Sequence, residues 1–184
     1  MNEVLKVLKS RRSVRSYKQE QISQESMDLI IESGIYAPSA NNQQPWHFTV
    51  IQNKDMLQFI NEKAKEVMVK SGSEFLQKAG ANPDFQLTYN APTLIIVSGK
   101  RDAPYWSTDC AIAIQNMVIA AESIGIGSVW LGMLRYFFQQ EDAVKRLGLP
   151  EGFEPFYGVA FGFNSNEVEQ TAPKRNMDVV DYIR

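Results

Sequence analysis

The sequence predicts an α+β domain built on a mixed sheet. Three observations carry that prediction. Helical and extended patterns are interspersed along the chain, but without the regular strand–helix–strand units of a doubly wound sheet. Thr93 to Ser98 is a short continuous apolar run, the pattern of a buried strand. Ser107 or Thr108 to about Ile124 is apolar on almost every side, so that helix is either central or pressed into a partner. The 184 residues contain no repeat and no low-complexity linker, so residues 1–184 are read as a single domain.

The elements follow in chain order. Asn2 to about Arg11 is a first helix, with Val4, Leu5, Val7 and Leu8 on its apolar stripe. Ser23 is an N-cap and Glu25 suits the first turn of the helix it opens, which carries Met27, Ile30 and Ile31 and stops before Pro38. Two prolines and four side-chain amides make residues 38–46 a loop. His47 to Gln52 is a strand, and Asn53 caps a helix that runs to about Met68. Residues 70–92, with Gly72, Gly80, Pro83 and Pro92, fit no period and are expected to form a mobile excursion. Gly127 to Leu131 is a turn leading into an extended segment, Gln139 to Leu147 a short surface helix, and Pro155 to Phe163 a last strand. The tail from Pro173 carries Val179, Val180, Tyr182 and Ile183, apolar enough to pair with something.

Composition excludes much. With 44% hydrophobic and 22% charged residues the chain is neither disordered nor collagen-like. No apolar stretch approaches the ~20 residues of a bilayer span, and no signal peptide is visible. A lone cysteine, Cys110, forms no internal disulfide, so a cytoplasmic protein is expected. One histidine, His47, and one cysteine leave no metal-ligand cluster of recognisable spacing and no Ser-His-Asp triad. Gly125, Gly127 and Trp130 half-match a dinucleotide fingerprint, but the third glycine is missing and the motif follows a helix rather than a strand. If the chain is an enzyme, a cofactor should carry the difficult step. No catalytic side chain is assigned.

What remains is binding chemistry. The net charge of −2 hides a first segment, residues 1–18, with six basic residues against Glu3 alone. Such a cluster on an acidic protein points to one specific anion rather than a nucleic-acid surface. Arg11, Arg12, Ser13 and Arg15 can grip a phosphate, or they form a solvated patch at a helix end. Lys174 and Arg175 could reach the same anion. The uncharged loop Pro38 to Gln44 suits a neutral heteroaromatic ring, and a flat ring could stack beside Trp130.

Together these blocks resemble the FMN-dependent nitroreductase family. The resemblance rests on Arg11-Arg12-Ser13-Val14-Arg15-Ser16-Tyr17, on Ala37-Pro38-Ser39-Ala40-Asn41-Asn42-Gln43-Gln44-Pro45-Trp46-His47-Phe48, on Gly125 to Gly132, and on Pro173-Lys174-Arg175, in that order. It implies a largely antiparallel central sheet flanked by helices and an intertwined homodimer with FMN at the interface. It also implies ping-pong transfer of electrons from NAD(P)H through FMN to nitroaromatics, quinones or similar electron-poor acceptors. By the same resemblance Arg11, Arg12 and Ser13 bind the FMN phosphate and ribityl end, completed by Lys174 and Arg175, with Arg15 near the pyrimidine edge. Pro38, Ser39, Ala40, Asn42 and Gln44 would reach the partner's flavin. Trp130, Leu131 and Gly132 would line one ring face and the N5 edge. Larger members have a Glu-Gly pair where this chain has Gly132-Met133, which leaves N5 to backbone amides. Specialised flavin chemistry, such as reductive dehalogenation or flavin breakdown, is the alternative on the same fold. A non-catalytic anion- or nucleic-acid-binding module is the alternative outside it.

Overall fold

The structure, a computed structural model, describes residues 2–166 and 171–184. Its centre is a four-stranded sheet of β1 (Trp46–Ile51), β2 (Thr93–Lys100), β3 (Gly127–Trp130) and β4 (Phe153–Gly162), in the order β1-β2-β4-β3. Every pairing of these strands is antiparallel. The parallel contact among the described residues is a single bridge, Ser13 to Ser128, on the outer edge of β3. The expected α+β class and helix-flanked antiparallel sheet are therefore found.

Helices cover both faces. They are α1 (Glu3–Ser10), α2 (Gln24–Ile35), α3 (Lys54–Val69), α4 (Glu74–Ala81), α5 (Trp106–Ser123), α6 (Arg135–Phe138) and α7 (Glu141–Val144). Alternate residues of β2 face opposite ways. Leu94 and Ile96 pack with Ile60, Ala64 and Phe137 from α3 and α6. Ile95 and Val97 pack with Ile30 of α2 and with Ile114, Met117 and Val118 of α5. This double coverage explains why β2 reads as an unbroken apolar run. It also explains α5, whose buried side runs from Asp109 to Ala121.

Caps set the starts of three helices, at Ser23 and Asn53 as the sequence indicates and at Asn2 besides, while α5 begins uncapped at Trp106, just before the expected Ser107 or Thr108. Asn2 accepts the Leu5 amide at 3.0 Å, Ser23 the Ser26 amide at 3.2 Å and Asn53 the Met56 amide at 2.9 Å. Two expectations need correction. Residues 70–92 hold α4 and a tied segment rather than a loose excursion. Asn61 on α3 accepts the Leu87 amide at 2.9 Å and donates to the Phe85 carbonyl at 3.3 Å, while Lys65, one turn on, donates to the Asn82 carbonyl. Gly127 to Trp130 is itself a strand, because its backbone pairs with β4 on one side and Ser13–Val14 on the other. The short helix expected over Gln139 to Leu147 is found from Glu141, as α7 continued by a 3-10 turn over Lys145–Leu147 and ended by Gly148. Gln140 leaves helical geometry and donates to the Lys63 carbonyl, separating α6 from α7.

Two surfaces stay uncovered. α1 buries no residue, and Val4, Leu5 and Leu8 of its stripe are exposed. Residues 171–184 are exposed throughout and have no regular structure. The chain presents 11,315 Å² of accessible surface, against the roughly 9,000 Å² expected of a compact monomer of this size.

Candidate functional site

The basic block is placed by the end of α1. Arg11 closes the helix, its amide bonded to the Val7 carbonyl at 3.0 Å while its own backbone turns extended. The chain then runs beside β3. The Val14 amide donates to the Ser128 carbonyl at 3.0 Å, and the buried Val14 side chain lies on Gly127. The Tyr17 hydroxyl donates to the Val14 carbonyl at 2.8 Å, and burial pushes its pKa far above the ordinary phenol range, so it remains a donor. Arg12 donates to the Lys9 and Arg11 carbonyls at 2.7 and 2.9 Å, partners suited to a cation at a helix C-terminus. Arg15 is exposed, and its guanidinium lies 3.4 Å from the Ser13 carbonyl.

The same sheet edge carries Trp130, Leu131 and Gly132. Ser13 pairs with Ser128, and two residues further along each segment stand Arg15 and Trp130. The Trp130 ring packs edge-on against Tyr157 with centroids 5.4 Å apart. Leu131 is buried and continues the ladder through its amide, which bonds the Gly158 carbonyl at 2.8 Å. At Gly132 the backbone lies open, with no heavy atom within 4 Å of where a Cβ would project. A flat ligand can approach the main chain there.

The sequence did not reveal a cleft of about 400 Å³ beside Arg15. Tyr17, Asn82, Phe85, Tyr89 and Asn90 help to line it. Tyr89 and Asn90 both adopt positive φ, 55° and 58°, in the segment tied to Asn61. The available signal was Asn61, an amide in the buried stripe of α3. A second cleft, of about 450 Å³, adjoins this one and shares Gln19, Gln86 and Asn90 with it.

The loop Pro38 to Gln44 lies on the other edge of the sheet, leading into β1 through Pro45. Its 3-10 turn spans Ala40–Asn42, and Asn41, Asn42 and Gln44 have φ of 51°, 54° and 48°. Non-glycine residues adopt that region uncommonly. Ser39 Oγ accepts the Gln44 amide at 2.9 Å, and the Gln44 side chain donates to Asn42 at 3.1 Å. From Ser13 the path across the sheet to β1 crosses β3, β4 and β2. Four inter-strand spacings of ~4.8 Å separate the two edges by roughly 19 Å. One protomer therefore brings together Arg11, Arg12, Ser13, Arg15, Trp130, Leu131 and Gly132, and holds Pro38, Ser39, Ala40, Asn42 and Gln44 apart from them. Lys174 and Arg175 are exposed in the tail, and neither side chain bonds another described residue.

Other reactive groups lie outside this arrangement. Cys110 is buried and donates to the Ser98 carbonyl, at 3.7 Å, and burial pushes its thiol up to about 12. His47 packs edge-on against Phe153, with centroids 5.8 Å apart. Among the described residues no group of His, Cys, Asp and Glu could hold a metal, and no helix is long and apolar enough to cross a membrane.

Clustered guanidiniums and a hydroxyl, a cleft lined by aromatic rings and an open glycine backbone share one sheet edge. That donor set fits a flat ring carrying a phosphate, such as FMN. Fold and edge together describe an α+β protein with a basic, aromatic-lined rim on one side of its antiparallel sheet. The Nitroreductase family profile matches residues 8–163, and the chain belongs to that family. It is 34% identical to a nitroreductase from Bacteroides fragilis whose crystal structure contains FMN, with a TM-score of 0.93 over 100% of both chains. An FMN-bound nitroreductase from Desulfitobacterium hafniense is 29% identical, with a TM-score of 0.88 over 100% of both chains. An Archaeoglobus fulgidus protein whose name joins NADH dehydrogenase and NAD(P)H nitroreductase is 35% identical over 176 residues, 91% of this chain and 88% of its own.

Proposed function

We propose that the chain is an FMN-dependent NAD(P)H oxidoreductase that reduces nitroaromatics, quinones or similar electron-poor acceptors by a ping-pong mechanism, and that it works as a homodimer. Bound FMN would supply the two-electron carrier, taking hydride from NAD(P)H and passing it to the acceptor. The chain's own residues bind and orient. Arg11, Arg12 and Ser13 hold the phosphate from the edge of β3, and Lys174 and Arg175 complete that site from the tail. Arg15 faces the pyrimidine edge, and the cleft bounded by Tyr17, Phe85 and Tyr89 receives that end of the ring. Trp130, Leu131 and Gly132 would line one face, and the open backbone at Gly132 would serve N5, the Leu131 amide being held by the Gly158 carbonyl.

The observation that carries this reading is the division of the site between the two edges of the sheet. The Arg11–Arg15 segment borders β3 and the Pro38–Gln44 loop leads into β1, and four inter-strand spacings put these two edges of the sheet roughly 19 Å apart in one protomer. A second copy can bring its own loop, with Pro38, Ser39, Ala40, Asn42 and Gln44, to the first copy's flavin. The bare stripe of α1 and the exposed tail, with Val179, Val180, Tyr182 and Ile183, supply apolar surface for the partner to cover. A cytoplasmic location accords with the single buried thiol.

The decisive measurement is flavin content followed by turnover. The purified protein should be yellow, contain FMN, and consume NAD(P)H when given a nitroaromatic or a quinone. A colourless protein that binds no FMN on titration would overturn the proposal. Halogenated phenols and free flavin belong in the same acceptor screen, because turnover confined to one of them would replace the proposed acceptor class.

A further inference from the structure

Asp109 stands in the first turn of α5 and is 4% exposed, a carboxylate in a helix otherwise buried through apolar residues. Its own amide belongs to the helix, bonded to the Tyr105 carbonyl at 3.0 Å. Its carboxylate reaches out of the helix and accepts the Ala40 amide, with both oxygens at 3.3 Å. Ala40 opens the 3-10 turn of the Pro38–Gln44 loop. Ser39 precedes that turn but does not cap it, because Ser39 Oγ is bonded to the Gln44 amide instead. Asp109 supplies the missing cap from a residue 69 positions away. Among the described residues it makes the one side-chain hydrogen bond that ties residues 38–44 to another element.

The tie matters because the backbone just beyond Ala40 is unusual. Asn41, Asn42 and Gln44 all hold positive φ. Non-glycine residues keep such a conformation only when their surroundings over-determine it. The bonds among Ser39, Asn42 and Gln44 shape the loop internally, but they do not orient it on the protein. The carboxylate is well suited to orienting it. It sits where the helix dipole favours negative charge, and the burial of Cys110 and Ala113 beside it leaves α5 little freedom to move.

We propose that Asp109 is a positioning residue for the flavin site of the neighbouring copy: its hydrogen bond to the Ala40 amide sets the shape in which the Pro38–Gln44 loop meets the flavin at the other copy's Arg11–Arg15 edge. The proposal rests on the flavin-binding homodimer put forward above. It does not make Asp109 a contact of the flavin or a participant in chemistry.

Asp109→Ala and Asp109→Asn separate positioning from packing, since asparagine keeps the size and one acceptor oxygen. In the flavin-free protein, hydrogen exchange at residues 38–44 should quicken in Asp109→Ala and stay near wild type in Asp109→Asn. FMN titration should show affinity weakened roughly 10- to 100-fold by Asp109→Ala, the worth of one hydrogen bond to a charged group. Asp109→Asn should stay within about threefold of wild type, on the scale of a neutral hydrogen bond. Ala40→Pro removes the same bond from the donor side, at a position where a helical turn accepts proline after an extended residue. It should match Asp109→Ala, and it keeps the test usable if Asp109→Ala does not fold.

Mixed dimers decide which copy is served. One chain carries Arg11→Ala with Arg12→Ala, the other Asp109→Ala. If the loop acts across the interface, both defects fall on one site and the mixed dimer regains about one flavin, while each parent homodimer is impaired at both of its equivalent sites. If the loop acts within its own chain, both mixed sites are damaged and no flavin is regained, which overturns the proposal. Wild-type flavin affinity and exchange in Asp109→Ala also overturn it while leaving the oxidoreductase reading intact. Failure of the wild-type protein to bind FMN overturns that reading itself.

Discussion

Val14 and Gly127 meet so closely that no side chain fits between them. A Cβ on Gly127 would lie 2.7 Å from Val14 Cγ2 and 3.2 Å from the Gly162 carbonyl. That contact, with the Val14–Ser128 hydrogen bond, docks the basic block on the edge of β3. Gly127→Ala should therefore act at two levels. Overpacking should cost about 1–3 kcal/mol of stability, read from the urea midpoint. The displaced Arg11–Arg15 segment should also bind FMN more weakly. Unchanged stability with unchanged flavin affinity would show that the block is placed by something else.

Arg11 and Arg12 belong to the docked edge, whereas Lys6 and Lys9 lie on exposed parts of α1. Charge-assisted hydrogen bonds contribute roughly 1.5–3 kcal/mol each. Arg11→Ala with Arg12→Ala should weaken FMN binding about 100-fold or more, measured by flavin fluorescence. Lys6→Ala with Lys9→Ala removes the same formal charge and should change affinity by no more than about threefold. Equal losses would mean that the segment acts as a diffuse positive field.

Asn61 holds the wall of the cleft beside Arg15 through the Leu87 amide and the Phe85 carbonyl. Asn61→Ala leaves a buried amide without its acceptor, a cost of roughly 1–3 kcal/mol. Hydrogen exchange should quicken around Leu87, with the core of β2 protected as before. A uniform change across the protein would argue against a local clamp.

The tail should be needed for assembly. A chain ending at Gln170 lacks Lys174, Arg175 and the apolar run to Ile183. It is expected to sediment as a monomer and to retain little FMN. A dimer with full flavin content would exclude the tail from both roles.

Cys110 makes a pH prediction. Its thiol rises from 9.0 to about 12 in the fold because burial disfavours the thiolate. Above pH 9 the unfolded chain loses this proton while the folded chain keeps it, so the thiol's contribution to stability is lost as pH rises from about 9 towards 12. The slope cannot exceed about 1.4 kcal/mol per pH unit for one group. Urea midpoints of wild type and Cys110→Ala should converge between pH 8 and pH 10, and native Cys110 should resist alkylation throughout that range. Parallel pH profiles would show that the thiol ionises alike in both states.

Much of the proposed site is legible in the sequence because its chemistry is local. Arg11, Arg12, Ser13 and Arg15 lie within five residues, and the amides of Pro38 to Gln44 form one uncharged run. Asp109 and Asn61 were not assigned roles, although each is a polar residue on a buried helix face. Their partners, Ala40 and Leu87, lie 69 and 26 residues away, and no periodicity encodes a hydrogen bond of that span. The same limit explains the break between α6 and α7 at Gln140, whose partner is the Lys63 carbonyl, and the strand at Gly127, which is paired by residues from both ends of the chain.

The sequence by itself determined where α1, α2 and α3 begin, because Asn2, Ser23 and Asn53 bond amides three positions ahead. It determined that β2 is buried and that the first segment suits an anion, since apolarity and charge belong to the residues themselves. Only the tertiary structure decided that the basic block and Trp130–Gly132 share one edge of the sheet while Pro38–Gln44 lies on the other. Strand order results from non-local hydrogen bonding and from packing on both faces of the sheet, to which distant segments contribute at once. That order divides the readable motifs between two edges of the sheet, which under the proposed homodimer two copies of the chain would bring together.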